Sequence, residues 1–331
     1  MKTKHWTEPN GILILKIPIN WQYRNRILSS VEEKSPYSFE AYENSIGCFQ
    51  ISCYNLAKGF NPNYPIQKAD SQLVWEESKI EDEKFEIHIW HAQSGDQLCM
   101  AKCIYEKSIR KKSKTKQYLK VVKQTLQSVR VIPKDDRERA IGLDKFDNFL
   151  GSLVTSFDIT NKALENYSYI ELVAITSNQI DAYLRISIVL MKQLNNNTND
   201  IEVKYLFQGN EDKGIMERKI YKEALTLNII TNEIFEELNK LYDKRNRVIH
   251  RYIISYLKTV EITKLAVDYL DVAEKIRLIL KKIEDDQMDR KIGIHGKGYS
   301  KNFEPTSDHR NLAYSMINDK HMLYELRKEI K

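Results

Sequence analysis

Residues 238–256 read LNKLYDKRNRVIHRYIISY, and this stretch decides how the second half of the chain folds. Ile234, Leu238, Leu241, Val248, Ile249, Tyr252 and Ile253 recur at spacings of three, four and seven, which places them on one stripe of a helix. Thr231 is positioned to cap its N-terminus, and Glu233 falls in the first turn, where the helix dipole favours an acid. Along the margin of the stripe stand Asp243, Lys244, Arg245, Asn246, Arg247, His250 and Arg251. A core helix has no need of such a cluster, and a catalytic one can use it.

Arg245 and Asn246, then Arg247, Val248, Ile249 and His250, resemble the signature of the HEPN family: arginine, a polar residue, a short spacer, histidine. The chain has seven histidines, and Arg290 precedes His295 at the same spacing. Lys291 stands in the polar position there, and Gly293 and Gly296 break any helix, so the copy at Arg245 is marked by Asn246 and its helical setting. The resemblance implies a helical bundle carrying the motif on its third helix. Many members of the family are metal-independent ribonucleases, toxins or defence proteins that act as dimers with the motif at the interface; others keep the bundle only for interaction. By this resemblance Arg245, His250 and Asn246 are the catalytic residues, with no metal or cofactor. The implied partners are RNA, a second copy of the chain through the bundle, and an antitoxin or regulatory protein. An acid from the first helix often faces the motif, and Asp181 in SNQIDAYLR is the candidate; the alternative is an ordinary surface pair with Arg185 at i+4. Arg247 and Arg251 are supporting candidates for phosphate contact, although Asp243 and Arg247 make an equally good exposed pair.

Helix geometry constrains the chemistry. Asn246 and His250, four apart, share a face, whereas Arg245 and His250, five apart, stand roughly 140° apart around the axis. Either Arg245 reaches round, or the helix is distorted, or a second chain brings its own motif to the same groove. Such a groove suits RNA transesterification. A neutral imidazole takes the 2′-hydroxyl proton, a protonated one returns a proton to the 5′ oxygen, and a permanently charged guanidinium stabilises the phosphorane. The products are a 2′,3′-cyclic phosphate and a 5′-hydroxyl.

With 331 residues, 42% hydrophobic and 30% charged, the chain reads as an ordinary soluble protein of two or three domains. No apolar run approaches about 18 residues, and the N-terminal apolar run is short and β-rich, so no membrane span or signal peptide is expected and the cytoplasm is the default. The net charge of +6 is uneven: residues 1–132 hold 20 basic and 14 acidic residues, residues 133–285 hold 23 and 25. The bundle would therefore meet RNA through a local patch rather than a bulk field. Cys48, Cys53, Cys99 and Cys103 all lie in the first third, at spacings that converge on no zinc ion, and read as reduced thiols.

The expected fold class is α+β: an N-terminal antiparallel-sheet domain with a closing helix over 1–132, then a linker at 133–145. An all-α four-helix bundle over 146–285 follows, and a polar tail over 286–331 with a terminal helix near 311–330. Strands are expected in GILILKIP, PYSFEAYE, GCFQISCYNL, QLVWEE, KFEIHIWHAQ and DQLCMAKCIYEK, the last two joined by a turn at Ser94-Gly95-Asp96. A Pro- and Asn-rich loop, KGFNPNYP, separates the third from the fourth. TKQYLKVVKQTLQSVRVI carries Leu119, Val122, Leu126 and Val129 as the closing helix. With the Pro18–Trp21 turn, these elements resemble PsbP-like α/β/α sandwiches. Around the closing helix runs the densest basic segment, with Lys111, Lys112, Lys114 and Lys116 as nucleic-acid contacts and Tyr105 and Tyr118 as stacking partners; a solvated helix face is the competing reading. The bundle helices are placed at 167–194, 216–225, 231–256 and 263–283. Three functional readings stay open: a ribonuclease, a non-catalytic HEPN scaffold, and a plain helical protein in which Arg245 and His250 form a structural pair.

Overall fold

Alternating apolar and polar residues in the first third fold as strands with one face inward. In chain order they are β1 (Thr3–Thr7), β2 (Leu13–Pro18), β3 (Trp21–Tyr23), β4 (Tyr37–Ala41), β5 (Gly47–Asn55), β6 (Glu76–Glu81), β7 (Phe85–Ser94) and β8 (Gln97–Glu106). Helix α1 (Ser113–Gln127) and the short β9 (Arg130–Val131) complete the set. The structure, a computed structural model, describes residues 2–26, 34–42, 45–56, 73–209, 212–297 and 306–317. The chain divides into two compact units, residues 1–144 with 314–331, and residues 145–313. The KGFNPNYP loop and the distal part of the terminal helix expected at 311–330 lie outside the described residues.

The first unit holds a three-stranded sheet in the order β1-β2-β9 and a six-stranded sheet in the order β3-β4-β5-β8-β7-β6, every pairing antiparallel. The expected turn is a two-residue one: Ser94 pairs with Gln97, and Gly95 takes φ +57°, the left-handed conformation such hairpins need. Trp6, Trp21, Phe39, Phe49 and Ile51 form the core, and α1 buries Tyr118, Val122 and Leu126 against it. The strand expected at QLVWEE begins later, at Glu76, and is exposed throughout. Leu73 and Trp75 still pack inward ahead of it, which is why the apolar signal preceded the strand. Tyr105 and Tyr118 are not stacking partners: both rings are buried, their hydroxyls bonded to His88 (3.0 Å) and to the Gly47 carbonyl (2.9 Å).

The second unit is helical, with α2 (Arg137–Glu165), α3 (Tyr169–Asn196), α4 (Glu217–Thr226), α5 (Asn232–Arg251) and α6 (Thr259–Arg290). The four expected bundle helices are present, and α2 precedes them, beginning inside the segment expected as a linker. Its charged opening, RERAIGLDK, forms the first two and a half turns of the helix, about 3.6 residues each, with Glu138 near the N-terminus, rather than an irregular connection. The core is Leu172, Ile180, Leu184 and Ile188 of α3, Leu238, Leu241 and Val248 of α5, and Tyr269, Val272 and Ile276 of α6. Helix α6 starts four residues before the expected cap at Thr263, because the Glu261 carboxylate accepts from the Lys258 backbone N–H (2.9 Å). It also runs on to Arg290, into the stretch expected as a polar tail. The polar character was misleading there: Gln287 is fully buried and donates to the Leu190 carbonyl (3.0 Å) and Gln193 Oε1 (2.9 Å), while its own oxygen accepts from the His295 N–H (3.1 Å). A last helix, α7 (Ser307–Met316), leads to Tyr314 and Ser315, which are buried in the first unit; the Lys4 ammonium donates to the Ser315 carbonyl.

Candidate functional site

The motif lies on α5, and the local sequence explains where that helix begins and ends. The Thr231 hydroxyl accepts from the Ile234 N–H (3.4 Å) and caps the start. Ser255 Oγ donates to the Arg251 carbonyl (2.6 Å) and closes the end there, not near Tyr256 as the apolar stripe suggested. The two basic residues of the last turn, His250 and Arg251, stand where the dipole favours positive charge.

No distortion brings Arg245 and His250 together within the chain. On a regular helix they differ by roughly 140° and about 7.5 Å of rise, and the two side chains go different ways. Arg245 turns inward. Its Nη1 donates to Glu217 Oε2 on α4 (2.6 Å) and to Ser177 Oγ on α3 (3.3 Å), and its Nη2 donates to Asn246 Oδ1 (3.2 Å). Its guanidinium stands 4.7 Å from the centre of the Tyr242 ring. Both ion-pair partners are largely enclosed, with 15% and 16% of their side chains exposed. Burial alone would lower the Arg245 pKa; the hydrogen bond and charge of Glu217 outweigh it and push it up. Tyr221 donates its hydroxyl to the other Glu217 oxygen, and burial next to that carboxylate drives the phenol far above its ordinary value. His250 turns outward and is exposed, and its side chain has no hydrogen bond or ion pair among the described residues. The reading in which Arg245 and His250 bond to each other inside one chain is therefore corrected.

Asp181 pairs with Arg185 as its alternative reading had it, but the pair is largely enclosed beside the motif rather than on the surface. Its Oδ2 pairs with Arg185 Nε (2.5 Å), and Arg185 also donates to the Tyr205 (3.3 Å) and Ile215 (3.1 Å) carbonyls. Its Oδ1 is buried without a hydrogen-bond partner. Burial raises the Asp181 pKa, against the pull of Arg185, and Arg245 and Glu217 are close enough to act on it. Arg247 does not pair with Asp243; Asp243 is taken by Arg218 (2.5 Å). Arg247 instead lines a cavity of ≈ 200 Å³ between α5 and α6 with Lys244, Lys264, Glu261 and Asp268. Arg251 is exposed. Glu217, Ser177 and Tyr242 were missed in the sequence. Only the i, i+4 spacing of Glu217 and Tyr221 on a short helix hinted at the first, since its partner lies 28 positions away.

Beyond Arg251 the chain leaves apolar side chains uncovered: Tyr252 (48% exposed), Ile253 (93%), Ile254 (81%) and Tyr256 (103%). Tyr252 and Ile253 continue the apolar stripe in sequence yet face solvent. The early end of α5 takes them off it. Among the basic residues of the first unit, Lys111, Lys112, Lys114 and Lys116 are exposed, whereas their neighbours pair with acids: Lys107 with Glu81 (3.0 Å), Arg110 with Glu86 (3.0 Å) and Lys123 with Glu77 (2.8 Å). Among the described residues no helix is long and apolar enough to cross a membrane.

No model of a known protein family matches the chain, and no curated protein matches it. Among solved structures, a crystal structure at 1.50 Å resolution of a Bacteroides thetaiotaomicron VPI-5482 protein is 12% identical, covers 55% of this chain and 78% of its own, and superposes with a TM-score of 0.30. A likeness that low carries no argument about fold or function.

Proposed function

We propose that the helical unit is a HEPN-type, metal-independent endoribonuclease that cleaves RNA by 2′-hydroxyl transesterification and acts as a homodimer. The observation that carries the reading is the exposed His250 at the end of α5, followed at once by the uncovered Ile253, Ile254 and Tyr256. Contiguous apolar surface of this kind marks an interaction site. A second copy covering it brings two imidazoles to one groove, one to take the 2′-hydroxyl proton and one to protonate the 5′ oxygen. Arg245 has five N–H donors, of which Glu217, Ser177 and Asn246 occupy three. In this reading a phosphate takes up the remaining donors as the largely enclosed guanidinium opens toward it, and Asn246 holds the guanidinium plane. In this reading Arg247 and Arg251 supply backbone contacts at the motif, the exposed Lys111, Lys112, Lys114 and Lys116 are a basic patch of the sheet unit by itself, and Asp181 acts only through the electrostatics of the cluster. The setting is the cytoplasm, as a toxin or antiphage effector restrained by an antitoxin or regulatory protein.

A second reading is favoured by a specific observation. The Glu217 carboxylate at 2.6 Å already neutralises Arg245, and His250 occupies another face, as suits a HEPN bundle that dimerises or scaffolds without cleaving. Incubation of the purified protein with labelled RNA in EDTA, comparing wild type with His250→Ala, separates the two. EDTA-resistant cleavage lost in the variant supports the nuclease; cleavage surviving it removes His250 from the mechanism; a wild type that cleaves no RNA leaves the scaffold.

A further inference from the structure

Two of the four thiols meet. Cys53 of β5 and Cys99 of β8 are direct partners in the antiparallel register, which runs unbroken from Gly47 opposite Tyr105 to Asn55 opposite Gln97. Their sulfurs are 3.6 Å apart. Directly opposed residues in such a ladder have Cα atoms about 4.5–5.5 Å apart, inside the roughly 4.4–6.8 Å a disulfide spans. Bond formation therefore needs side-chain rotation and a small closure, not a register shift. The two thiols differ in access. Cys99 is fully buried, whereas Cys53 is half-buried and followed by the exposed Tyr54 and Asn55, so solvent approaches the pair from the Cys53 side. The other two cysteines are not so placed: Cys103 stands opposite Phe49 and Cys48 opposite Ile104. Burial pushes those thiols up, to about 12 for Cys103 and about 11 for Cys48.

We propose that Cys53 and Cys99 form a reversible oxidation site for hydroperoxides, with Cys53 the thiol oxidised first and Cys99 the thiol that resolves it to an intramolecular disulfide. The Cys53 thiolate attacks the terminal hydroxyl oxygen of the peroxide; an S–O bond forms, the O–O bond breaks, and the departing alkoxide (hydroxide for hydrogen peroxide) takes up the proton that Cys53 gave up, leaving as the alcohol or as water. The Cys99 sulfur then attacks the Cys53 sulfenic acid; the S–S bond forms, the S–O bond breaks, and the oxygen leaves as water with the Cys99 proton. Two thiols lose two electrons and the peroxide gains them. Cys99 keeps its proton for that step, because its hydrogen bond to Cys53 and its burial both raise its pKa. The Cys53 thiol also donates to Oε1 of the buried Gln97 (3.6 Å), which fixes the position of its sulfur beside Cys99.

The test uses the full chain, reduced and then exposed to a small excess of hydrogen peroxide before alkylation. The proposal expects the thiol count under denaturing conditions to fall from four to two, the intact mass to fall by two hydrogens, and peptide mapping to join the segments containing residues 53 and 99, all reversed by dithiothreitol. Cys99→Ser should leave a sulfenic acid at Cys53 that dimedone traps, and Cys53→Ser should form no intramolecular disulfide. Four thiols surviving in the wild type overturn the proposal, as does a disulfide mapped to any other pair. Should a variant fail to fold, the wild-type mass and peptide map decide alone.

Discussion

The pair Glu217–Arg245 gives the sharpest test of the arrangement around the motif. Glu217→Gln keeps the shape and the hydroxyl partner, Tyr221, but removes the charge that holds the guanidinium. Charge-assisted hydrogen bonds contribute about 1.5–3 kcal/mol each, and removing one partner of a fully buried pair costs about 3–5 kcal/mol. With some 15% of each side chain exposed and with Ser177 and Asn246 still accepting from Arg245, we expect a loss of about 2 kcal/mol for Glu217→Gln. Arg245→Met strands a carboxylate that retains only the Tyr221 hydroxyl, and should cost about 2–4 kcal/mol. The double variant should cost less than the sum by about 1–2 kcal/mol, since the second substitution removes a group already stripped of its partner. The chain supplies its own control. All four tryptophans, Trp6, Trp21, Trp75 and Trp90, belong to the sheet unit, so urea unfolding by fluorescence follows that unit and far-UV circular dichroism follows chiefly the helices. The dichroism midpoint should move and the fluorescence midpoint should not. Strict additivity within about 0.5 kcal/mol, or equal movement of both midpoints, would refute the pairing of Arg245 with Glu217.

Three further outcomes can be measured. His250→Ala should leave the dichroism midpoint unchanged within about 0.5 kcal/mol, because an exposed side chain without partners supports no fold; a larger loss would mean His250 is held somewhere it is not seen. Ile253→Glu with Ile254→Glu should leave the monomer fold intact and abolish self-association in sedimentation, if a second copy covers that surface. Burial next to Lys281 lowers the His295 pKa to about 4 from 6.5, although Glu284 stands 3.9 Å away; burial also raises the Glu284 pKa, which weakens its counter-pull. The folded pKa is depressed, so the unfolded chain binds the extra proton: stability of the helical unit is complete above pH 6.5 and is lost as pH falls toward about 4. The loss is on the order of 3 kcal/mol at most, and it should be absent from His295→Gln.

The residues told most about what they do locally. Period-two alternation located the sheet strands, and the Ser94-Gly95-Asp96 turn followed from glycine's access to a left-handed φ. Helical periodicity and a threonine cap placed α5. Its spacing set Arg245 and His250 roughly 140° apart, and the packing of α4, with Glu217 waiting inward, decided that Arg245 does not reach round. Polarity was the weaker guide: charged residues before Lys145 open α2, and the buried Gln287 amide satisfies the Leu190 carbonyl, which would otherwise be stranded. What the sequence could not supply was the identity of partners far apart in the chain. Glu217 meets Arg245, Asp243 meets Arg218 and Cys53 faces Cys99 only because separate elements pack in one particular register. Local spacing fixes the direction in which a side chain leaves its own helix or strand; which group waits there depends on how the elements are packed, and that is a property of the folded chain.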